Sequence, residues 1–574
     1  MLPIIERTSP HSAKVAEKLA SGGLDPSLAR ALALRGVECP EVASFRYPLL
    51  HFRDLKGIDS MVAQLSEAIA ERRMLVIVAD YDCDGATACA VGVRGLSALG
   101  ARVGFVVPNR FAHGYGLTPS VVDLVIERFP DVHAIVTVDN GISSVAGVEH
   151  AHARGVKVLV TDHHLPGEVL PAADAIVNPN QPGCEFESKS IAGVGVMYYV
   201  VCALRSGLIA SGRFPKDGWN PAELLDLVSL GTVADVVRLD ENNRWLVSRG
   251  LARIRGGHAH PGIAALLEVA RREPSHVTTQ DFGFAVGPRL NAAGRIDDMS
   301  KGIQCLLSDS IEEARDLARE LDQLNEQRKA IEKEMREQAL SEIDVSSQSG
   351  NFTRVVFDPD FHEGVIGIVA GRIKEKDNVP VVAFARGQED GLIKGSARSV
   401  PGVHLRDLLD LVHKRGDGMF VKFGGHAMAA GLTLREDRLD EFRILFESAA
   451  REVMDHGLPQ KELLVDGGLP PESLEDVSFV DGLSALVWGQ GFEEPVWCDE
   501  FTLENASLMG ADQNHLSLRV NRDGRQFKAV QFFVDGLPDL DPGSPIRMAY
   551  RPSVNRFRGR ESVDLMILEV QPAV

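Results

Sequence analysis

The chain lacks basic charge: 61 Lys and Arg stand against 81 Asp and Glu, a formal net charge of −20. That deficit excludes a protein that grips duplex nucleic acid over its whole surface, because net charge governs nonspecific association. It does not exclude a localised basic path. Cysteine is scarce and unpaired in pattern: there are seven, an odd number, with no C-x-x-C spacing. A disulfide framework is therefore not expected, and reduced thiols in a cytoplasm are. No apolar run reaches the ~18 residues of a membrane span. The first residues, Met1-Leu2-Pro3-Ile4-Ile5-Glu6-Arg7, lack a signal-peptide pattern. Internal repeats and low-complexity tracts are also missing.

What is present is a set of aspartates, each behind a short apolar run. Met74–Ala79, Ala134–Val138, Lys157–Thr161 and Val228–Ala234 read as strands. They are followed by Asp80-Tyr81-Asp82-Cys83-Asp84-Gly85, Asp139-Asn140-Gly141, Asp162-His163-His164 and Asp235. Between the first three lie helical stretches at Ala86–Leu99 and Ser120–Arg128 and a strand at Arg102–Val107. This strand–helix alternation predicts a parallel sheet covered by helices, whose ligands bind beyond the carboxyl ends of the strands. One aspartate after a strand is usually a helix cap. Three carboxylates within five residues repel one another unless cations lie among them. Oxygen donors with one or two imidazoles suit one or two Mn²⁺ or Mg²⁺ ions. Such ions can activate a water and steady the leaving oxygen of a phosphodiester. Cys83 has no role with a hard metal and reads as a small buried residue.

These motifs, with Gly231-Thr232-Val233-Ala234-Asp235, resemble those of the DHH phosphoesterase superfamily, and more narrowly its RecJ family of single-strand-specific 5′→3′ DNA exonucleases. The resemblance continues through Pro108-Asn109-Arg110, Gly114-Tyr115-Gly116-Leu117, Ile191-Ala192-Gly193-Val194-Gly195 and Pro288-Arg289-Leu290-Asn291-Ala292-Ala293-Gly294-Arg295. His362–Ala370, Lys394-Gly395-Ser396-Ala397-Arg398-Ser399 and Phe423-Gly424-Gly425-His426 resemble a DHHA1 domain. The resemblance implies that Asp84, Asp139, His163 and Asp235 hold one ion. Asp80 and Asp82, with Asp139 bridging, hold or support a second. Other members carry a His ahead of the first Asp pair; Val76 and Val78 stand in that region here, so the second ion is expected to depend on substrate. His164 faces the scissile phosphate, and Asp82, Asp84, Asp139 and His163 complete the catalytic set.

The implied substrate contacts are Arg110, Tyr115, Arg289, Asn291, Arg295, Ser396, Arg398, Gly425 and His426. Arginine grips phosphate bidentately, and Tyr115 or Phe111 can stack a base or simply pack. Lys394–Ser399 and Gly424-Gly425-His426 read as glycine-containing loops. Near the end, Tyr550-Arg551, Arg556-Phe557-Arg558 and Arg560 are the densest basic stretch with interleaved aromatics. It reads as a single-strand-binding surface or, more plainly, as a solvated hairpin.

The expected architecture is α/β: two α/β lobes, DHH and DHHA1, joined by a long helix, plus a C-terminal OB-fold β-barrel. Residues 1–55 form an extension packed on the first lobe, 56–308 the DHH domain, 309–345 the helix, 346–455 the DHHA1 domain and 460–574 the barrel. The helix opens with Ser310 and Glu313 as a capping box. From Ile311 to Ile343 it spans ~50 Å at ~1.5 Å per residue and reads as a spacer rather than a core element. The expected function is metal-dependent hydrolysis of single-stranded DNA from the 5′ end, releasing 5′-mononucleotides in repair and recombination. The strand threads between the lobes. A single-strand-binding protein and a RecQ-type helicase are candidate partners, and the chain is expected to be a cytoplasmic monomer. Alternatives are a small-substrate DHH phosphodiesterase acting on nanoRNA or cyclic dinucleotides, and a nuclease-dead scaffold.

Overall fold

The computed structural model describes every residue except 1, 110–112, 346–349, 388, 455–456, 458–460, 511–512, 535, 558 and 574. Arg110, Phe111, Arg558 and the Phe557 side chain therefore lie outside the described residues. Two compact units result. One comprises Met1–Gly294, Asp298–Asp322 and Glu462–Val574; the other comprises Arg295–Asp297 and Gln323–Lys461.

The first unit begins with a short strand, β1 (Ile4–Glu6), and then builds the parallel sheet. Its strands are β2 (Met74–Ala79), β3 (Arg102–Val106), β4 (Val132–Val138), β5 (Lys157–Thr161) and β6 (Ala175–Val177), in the order β3-β2-β4-β5-β6. Every residue of β2 is buried, the continuous apolar signature of a strand covered on both faces. The order reverses between β2 and β4, and a crevice opens beyond the carboxyl ends at such a switch point. The ladder continues past the strand ends: Asp80 N donates to Val138 O at 3.4 Å, Asp139 N to Thr161 O at 3.1 Å and Asp162 N to Val177 O at 3.2 Å. The sheet thereby lines up the three motif loops along one edge.

Val228–Ala234 is a correction. The run is not a strand but the end of a helix, Leu225–Ala234. Leu225 through Thr232 are all buried, so polar–apolar alternation carries no signal there, and a short apolar run cannot be told from a buried helix. Asp235 terminates that helix. The Gly193–Ala210 helix is long and apolar enough to cross a membrane, yet 67% of it is buried inside the unit. It is a core helix.

In the second unit, β7 (Arg354–Phe357), β8 (Val381–Arg386), β9 (Leu392–Arg398), β10 (Phe420–Gly425) and β11 (Ala429–Arg435) form a mixed sheet, ordered β10-β11-β9-β8-β7. Lys394–Arg398 is thus a strand and not a loop. Its residues alternate between buried and half-buried, as a strand with one covered face does.

The helix Ile311–Val345 is also more than a spacer. Ala314, Ala318 and Leu321 are buried at its start, and Met335, Ala339 and Ile343 enter the core of the second unit. Arg328, which interrupts the apolar stripe, is held by Glu332 at 2.7 Å and Asn325 at 2.8 Å. At the amino end Glu313 N approaches Ser310 Oγ at 3.4 Å, while the Glu313 carboxylate accepts from Ser308 Oγ at 2.8 Å.

After β12 (Leu463–Val465), the strands β13 (Trp497–Met509), β14 (His515–Arg522), β15 (Arg525–Phe532), β16 (Pro545–Phe557) and β17 (Arg560–Pro572) close a barrel. Their order, β13-β14-β15-β17-β16, is the first-second-third-fifth-fourth arrangement of an OB-fold. The amino-terminal extension divides. β1 pairs in parallel with β12, Ala31 enters the barrel core beside Trp497, and Arg35 forms a buried two-armed bridge to Asp466 at 2.8 and 3.0 Å. Its later part reaches the metal-motif lobe, where Tyr47 Oη donates to Glu241 O at 2.5 Å and Leu55 is buried. The expectation that all of 1–55 packs on the first lobe is corrected accordingly. A single edge strand and a short amphipathic helix say little in sequence about which partner they choose.

Candidate metal centre

The Asp80–Gly85 loop turns directly from β2 into the Cys83–Ala98 helix. Asp82 caps that helix, accepting from Gly85 N at 3.0 Å, and Asp80 accepts from Tyr81 N at 2.8 Å. The turn is so tight that a Cβ on Gly85 would meet Asp80 O at 2.5 Å. Asp84 lies one turn in, fully buried, and takes two backbone donors, Gly193 N at 2.7 Å and Val194 N at 2.9 Å. These are free amides at the start of the Gly193–Ala210 helix, and a carboxylate at a helix amino terminus is stabilised there. A Cβ on Gly193 would sit 2.7 Å from Asp139. Asp139 adopts φ 60°, a left-handed backbone rare for a residue with a side chain. Such strain costs about 1–3 kcal/mol and persists only where the surroundings impose it.

His163 Nε2 lies 3.1 Å from Asp139 Oδ1, 3.5 Å from Asp235 Oδ2 and 3.9 Å from Asp84 Oδ2. Three donor groups result: Asp84-His163-Asp235, Asp139-His163-His164 and Asp80-Asp82-Asp139. Within each, the candidate ligand atoms all lie within 4.8 Å of one another, and Asp139 belongs to two. The structure thus brings together all six residues read as metal ligands.

The electrostatics argue for cations in this basin. Burial first, then neighbouring carboxylates, raises Asp80, Asp139 and Asp235 well above the usual carboxylate range. Asp84 is raised by the same causes to about 7, despite its two backbone donors. Asp139 Oδ1 is buried and makes no aligned hydrogen bond, although His163 Nε2 lies 3.1 Å away. A buried oxygen left unpaired is costly, and a hard divalent cation is the partner this donor set fits. His163 is kept neutral, lowered to about 4 by burial and by the neighbouring His164; neutral imidazole is the ligating form.

Asp162 is the residue the sequence reading passed over. It is fully buried, and one oxygen accepts from His163 N at 2.7 Å, His164 N at 3.1 Å and His164 Nδ1 at 2.7 Å. The other accepts from Ile142 N at 2.9 Å. Asp162 therefore orients both imidazoles and is not in any of the donor groups. Its place between the strand end and the His pair was the available signal. Burial alone would lower His164, but the Asp162 hydrogen bond and the charges of Asp162, Asp80 and Asp82 outweigh it and raise it to about 9. His164 is thus cationic at neutral pH. Its Nε2 lies 3.3 Å from Tyr115 Oη, and Tyr115 meets Tyr81 edge-on at 6.1 Å. Tyr115 is half exposed beside the basin.

Other assignments change. Asn291 Oδ1 accepts from Cys83 N at 2.8 Å, and a Cβ on Gly294 would meet Tyr81 O at 1.7 Å. That segment is a helix, Gly287–Ile296, pressed against the first motif, so Asn291 shapes the loop. Arg289 is bound by Asp322 at 2.8 and 2.9 Å and donates to Ala285 O, which occupies the guanidinium in holding the fold. In the second unit, Arg295 donates to Gly364 O at 3.2 Å. Arg398 Nη1 reaches Ser396 Oγ at 3.0 Å and Ala397 O at 2.8 Å. A Cβ on Gly367, at the start of the Ile366–Asp377 helix, would lie 2.8 Å from its Nη2. Burial pulls the Arg398 guanidinium down from its ordinary value, and no carboxylate contributes. Gly425 ends β10 at φ 150°, and His426 N donates to Ala429 O at 2.8 Å. In the barrel, Arg556 bridges to Asp481 and, at 2.8 Å, to Glu561. Arg551 lies 3.7 Å from Glu494.

Three family models cover most of the chain: the DHH family N-terminal domain over residues 74–232, the DHHA1 domain over 350–452 and the RecJ OB domain over 465–569. The single-stranded-DNA-specific exonuclease RecJ of Dickeya dadantii is 47% identical over 561 residues, covering 95% of this chain and 96% of that protein. The chain belongs to the RecJ family. RecJ of Escherichia coli is 45% identical, with 96% of each chain covered. Among solved structures, RecJ from Thermus thermophilus in complex with Mn²⁺ matches with a TM-score of 0.82 at 28% identity, over 100% of this chain and 79% of that one. The same RecJ has also been solved with Mg²⁺, matching at a TM-score of 0.76.

Proposed function

We propose that this chain hydrolyses single-stranded DNA from the 5′ end, using Mn²⁺ or Mg²⁺ held by Asp80, Asp82, Asp84, Asp139, His163 and Asp235. The observation that carries the reading is the basin of buried carboxylates around His163, with an orphaned oxygen on Asp139. The full-length likeness to RecJ exonucleases supplies the substrate class. Cations bound there would activate a water and steady the leaving oxygen of a phosphodiester. Asp84, anchored by two amides, sets the floor of the site. Neutral His163 joins its three carboxylate neighbours. His164, aimed by Asp162, would present its Nε2 to a phosphate oxygen and, in its protonated form, stabilise charge there.

Arg398 and Ser396 are read as a phosphate-binding pair, supported by a guanidinium whose partners are uncharged oxygens. They would grip a phosphate of the strand; Arg110, read for the 5′-terminal phosphate, lies outside the described residues. Arg295, Gly425 and His426 keep the expected substrate role; Arg289 and Asn291 are reassigned to holding the fold. The barrel holds the strand and does no chemistry: among the described residues, no candidate metal group lies within it. A cytoplasmic monomer working with a single-strand-binding protein and a RecQ-type helicase is the cellular setting this reading implies.

The test is a pair of single strands labelled at either end, incubated with Mn²⁺ or with chelator. Mononucleotide release from the 5′ end, dependent on Mn²⁺ and absent on duplex, is expected. Efficient cleavage confined to dinucleotides would favour the small-substrate alternative.

A further inference from the structure

Beside the metal basin, within the same unit, the chain exposes apolar side chains where it has a choice not to. Phe284 is 84% exposed. It sits in a π-helical turn, Phe282–Val286, a bulged geometry that recurs at functional sites. Facing it is Val236, the residue after Asp235, which is 64% exposed and held at φ 59°. A left-handed β-branched residue is a strained exception, so its placement is imposed. Together with Val233, Leu239, Gly283 and Trp488 they line a cavity of about 340 Å³.

The walls of this cavity are fixed. Thr279 Oγ1 donates to Trp488 O at 2.7 Å, and Leu239 N to Gln490 O at 2.8 Å. Trp488 is buried and stacked on Phe492 at 5.3 Å. Polar groups gather on the barrel side. Gln280 binds Glu494 at 2.5 Å, and Arg551 Nε is buried with no hydrogen-bond partner, 3.7 Å from Glu494. A second cavity shares Thr279, Gln280, Phe284 and Arg551 and continues along β16 and β17 through Pro552, Ser553 and Leu568. A groove therefore starts one residue from Asp235, apolar at that end, and turns more polar along the barrel, where Asp281, Glu494 and Arg551 line it.

We infer that this groove seats a nucleobase of the single-stranded substrate, stacked on Phe284. The occupant follows from position: Val236 in the groove wall is the residue after Asp235 of the metal basin, and Arg551 in the opposite wall belongs to the OB-fold barrel. A ring face with a neighbouring cation suits every base alike. The inference rests on the exonuclease reading and assigns Phe284 and Val236 a role that the motif residues do not include.

The experiment measures strand affinity by fluorescence anisotropy in chelator, where nothing is cut, using oligothymidylate with one abasic nucleotide moved stepwise along the strand. Wild type is expected to lose at least about fivefold in affinity at one position, the scale of a lost stack. Phe284→Ala should bind the intact strand weaker by a similar factor and should ignore the abasic nucleotide at that position. Phe284→Trp should restore both the affinity and the penalty. Phe284 is exposed, so its truncation should leave the melting temperature unchanged. Wild-type affinity in Phe284→Ala, or an abasic penalty that persists in it, would overturn the inference. Failure of wild type to cut single strands with Mn²⁺ would instead overturn the exonuclease reading.

Discussion

The metal basin and the barrel's basic hairpin both concentrate like charges in sequence, and the fold treats them oppositely. In the basin, Asp80, Asp84, Asp139 and Asp235 are drawn into a buried space where the imidazoles of His163 and His164 cannot neutralise them all. In the hairpin, Arg556 already has Asp481 and Glu561, and Lys528 nearby has Asp564 at 3.0 Å. Exposed pairs of this kind contribute about 0–1 kcal/mol, and they also satisfy the cation. Charge that the fold leaves uncompensated points to a ligand. Charge that the fold compensates points to the surface.

The sharpest way to break the comparison is Asp139→Ala. It removes the carboxylate shared by two donor groups, and cleavage of single strands should be abolished while the protein still folds by circular dichroism. A near-wild-type rate would dissolve the metal assignment. Next comes Asp162→Asn, which leaves all donor groups intact but weakens the orientation of both imidazoles. Partners of this kind are worth about 10–100-fold, so a rate loss of that order is expected in steady-state kinetics, with a shifted pH profile from His164.

Arg398→Ala is a smaller perturbation. A lost charge-assisted hydrogen bond costs ~1.5–3 kcal/mol, so the preference for a 5′-phosphorylated over a 5′-hydroxyl strand should fall about tenfold or more. Equal slowing of both strands would place the residue elsewhere on the DNA. The smallest effect belongs to Arg556→Ala. Because its guanidinium is already paired, affinity for a long strand should change by less than about twofold; a tenfold loss would mean that the hairpin releases its partners to bind DNA.

The sequence made the first lobe legible because a parallel sheet repeats one grammar: apolar run, acidic turn, helix. β2 and β4 follow it in full, β5 keeps the apolar run and acidic turn but passes to β6 without a helix, and their ends converge through ladder hydrogen bonds. The fourth motif broke the grammar. Asp235 reaches the same basin from a helix end, since a run buried on every side has no periodicity to read. Arg289 and Asn291 read from their chemistry as substrate contacts; in the fold Asp322 and the Cys83 amide, far off in sequence, are their partners. Tertiary partners of that kind leave no local signal. Ala31 entered the barrel core and β1 paired with β12 for the same reason, and Phe284 could not be distinguished from a core aromatic until the π-helical turn placed it in solvent.

The central claim, that the fold buries negative charge for cations to balance, is tested most directly by melting temperature against pH with and without Mn²⁺. Asp84 is raised in the folded state, so the folded protein binds more protons than the unfolded one, and stability is lost as pH rises toward about 7. His164, raised to about 9, has the same sign, and its contribution is lost between about pH 6.5 and 9. His163, lowered to about 4, has the opposite sign but acts only below about pH 6.5. Between about pH 6.5 and 9 the metal-free protein should therefore melt at progressively lower temperature. Because ligands bind metal deprotonated, the gain from Mn²⁺ should widen over the same range. A metal-free melting temperature that stays level or rises through this range, with a pH-independent Mn²⁺ gain or none, would contradict the account.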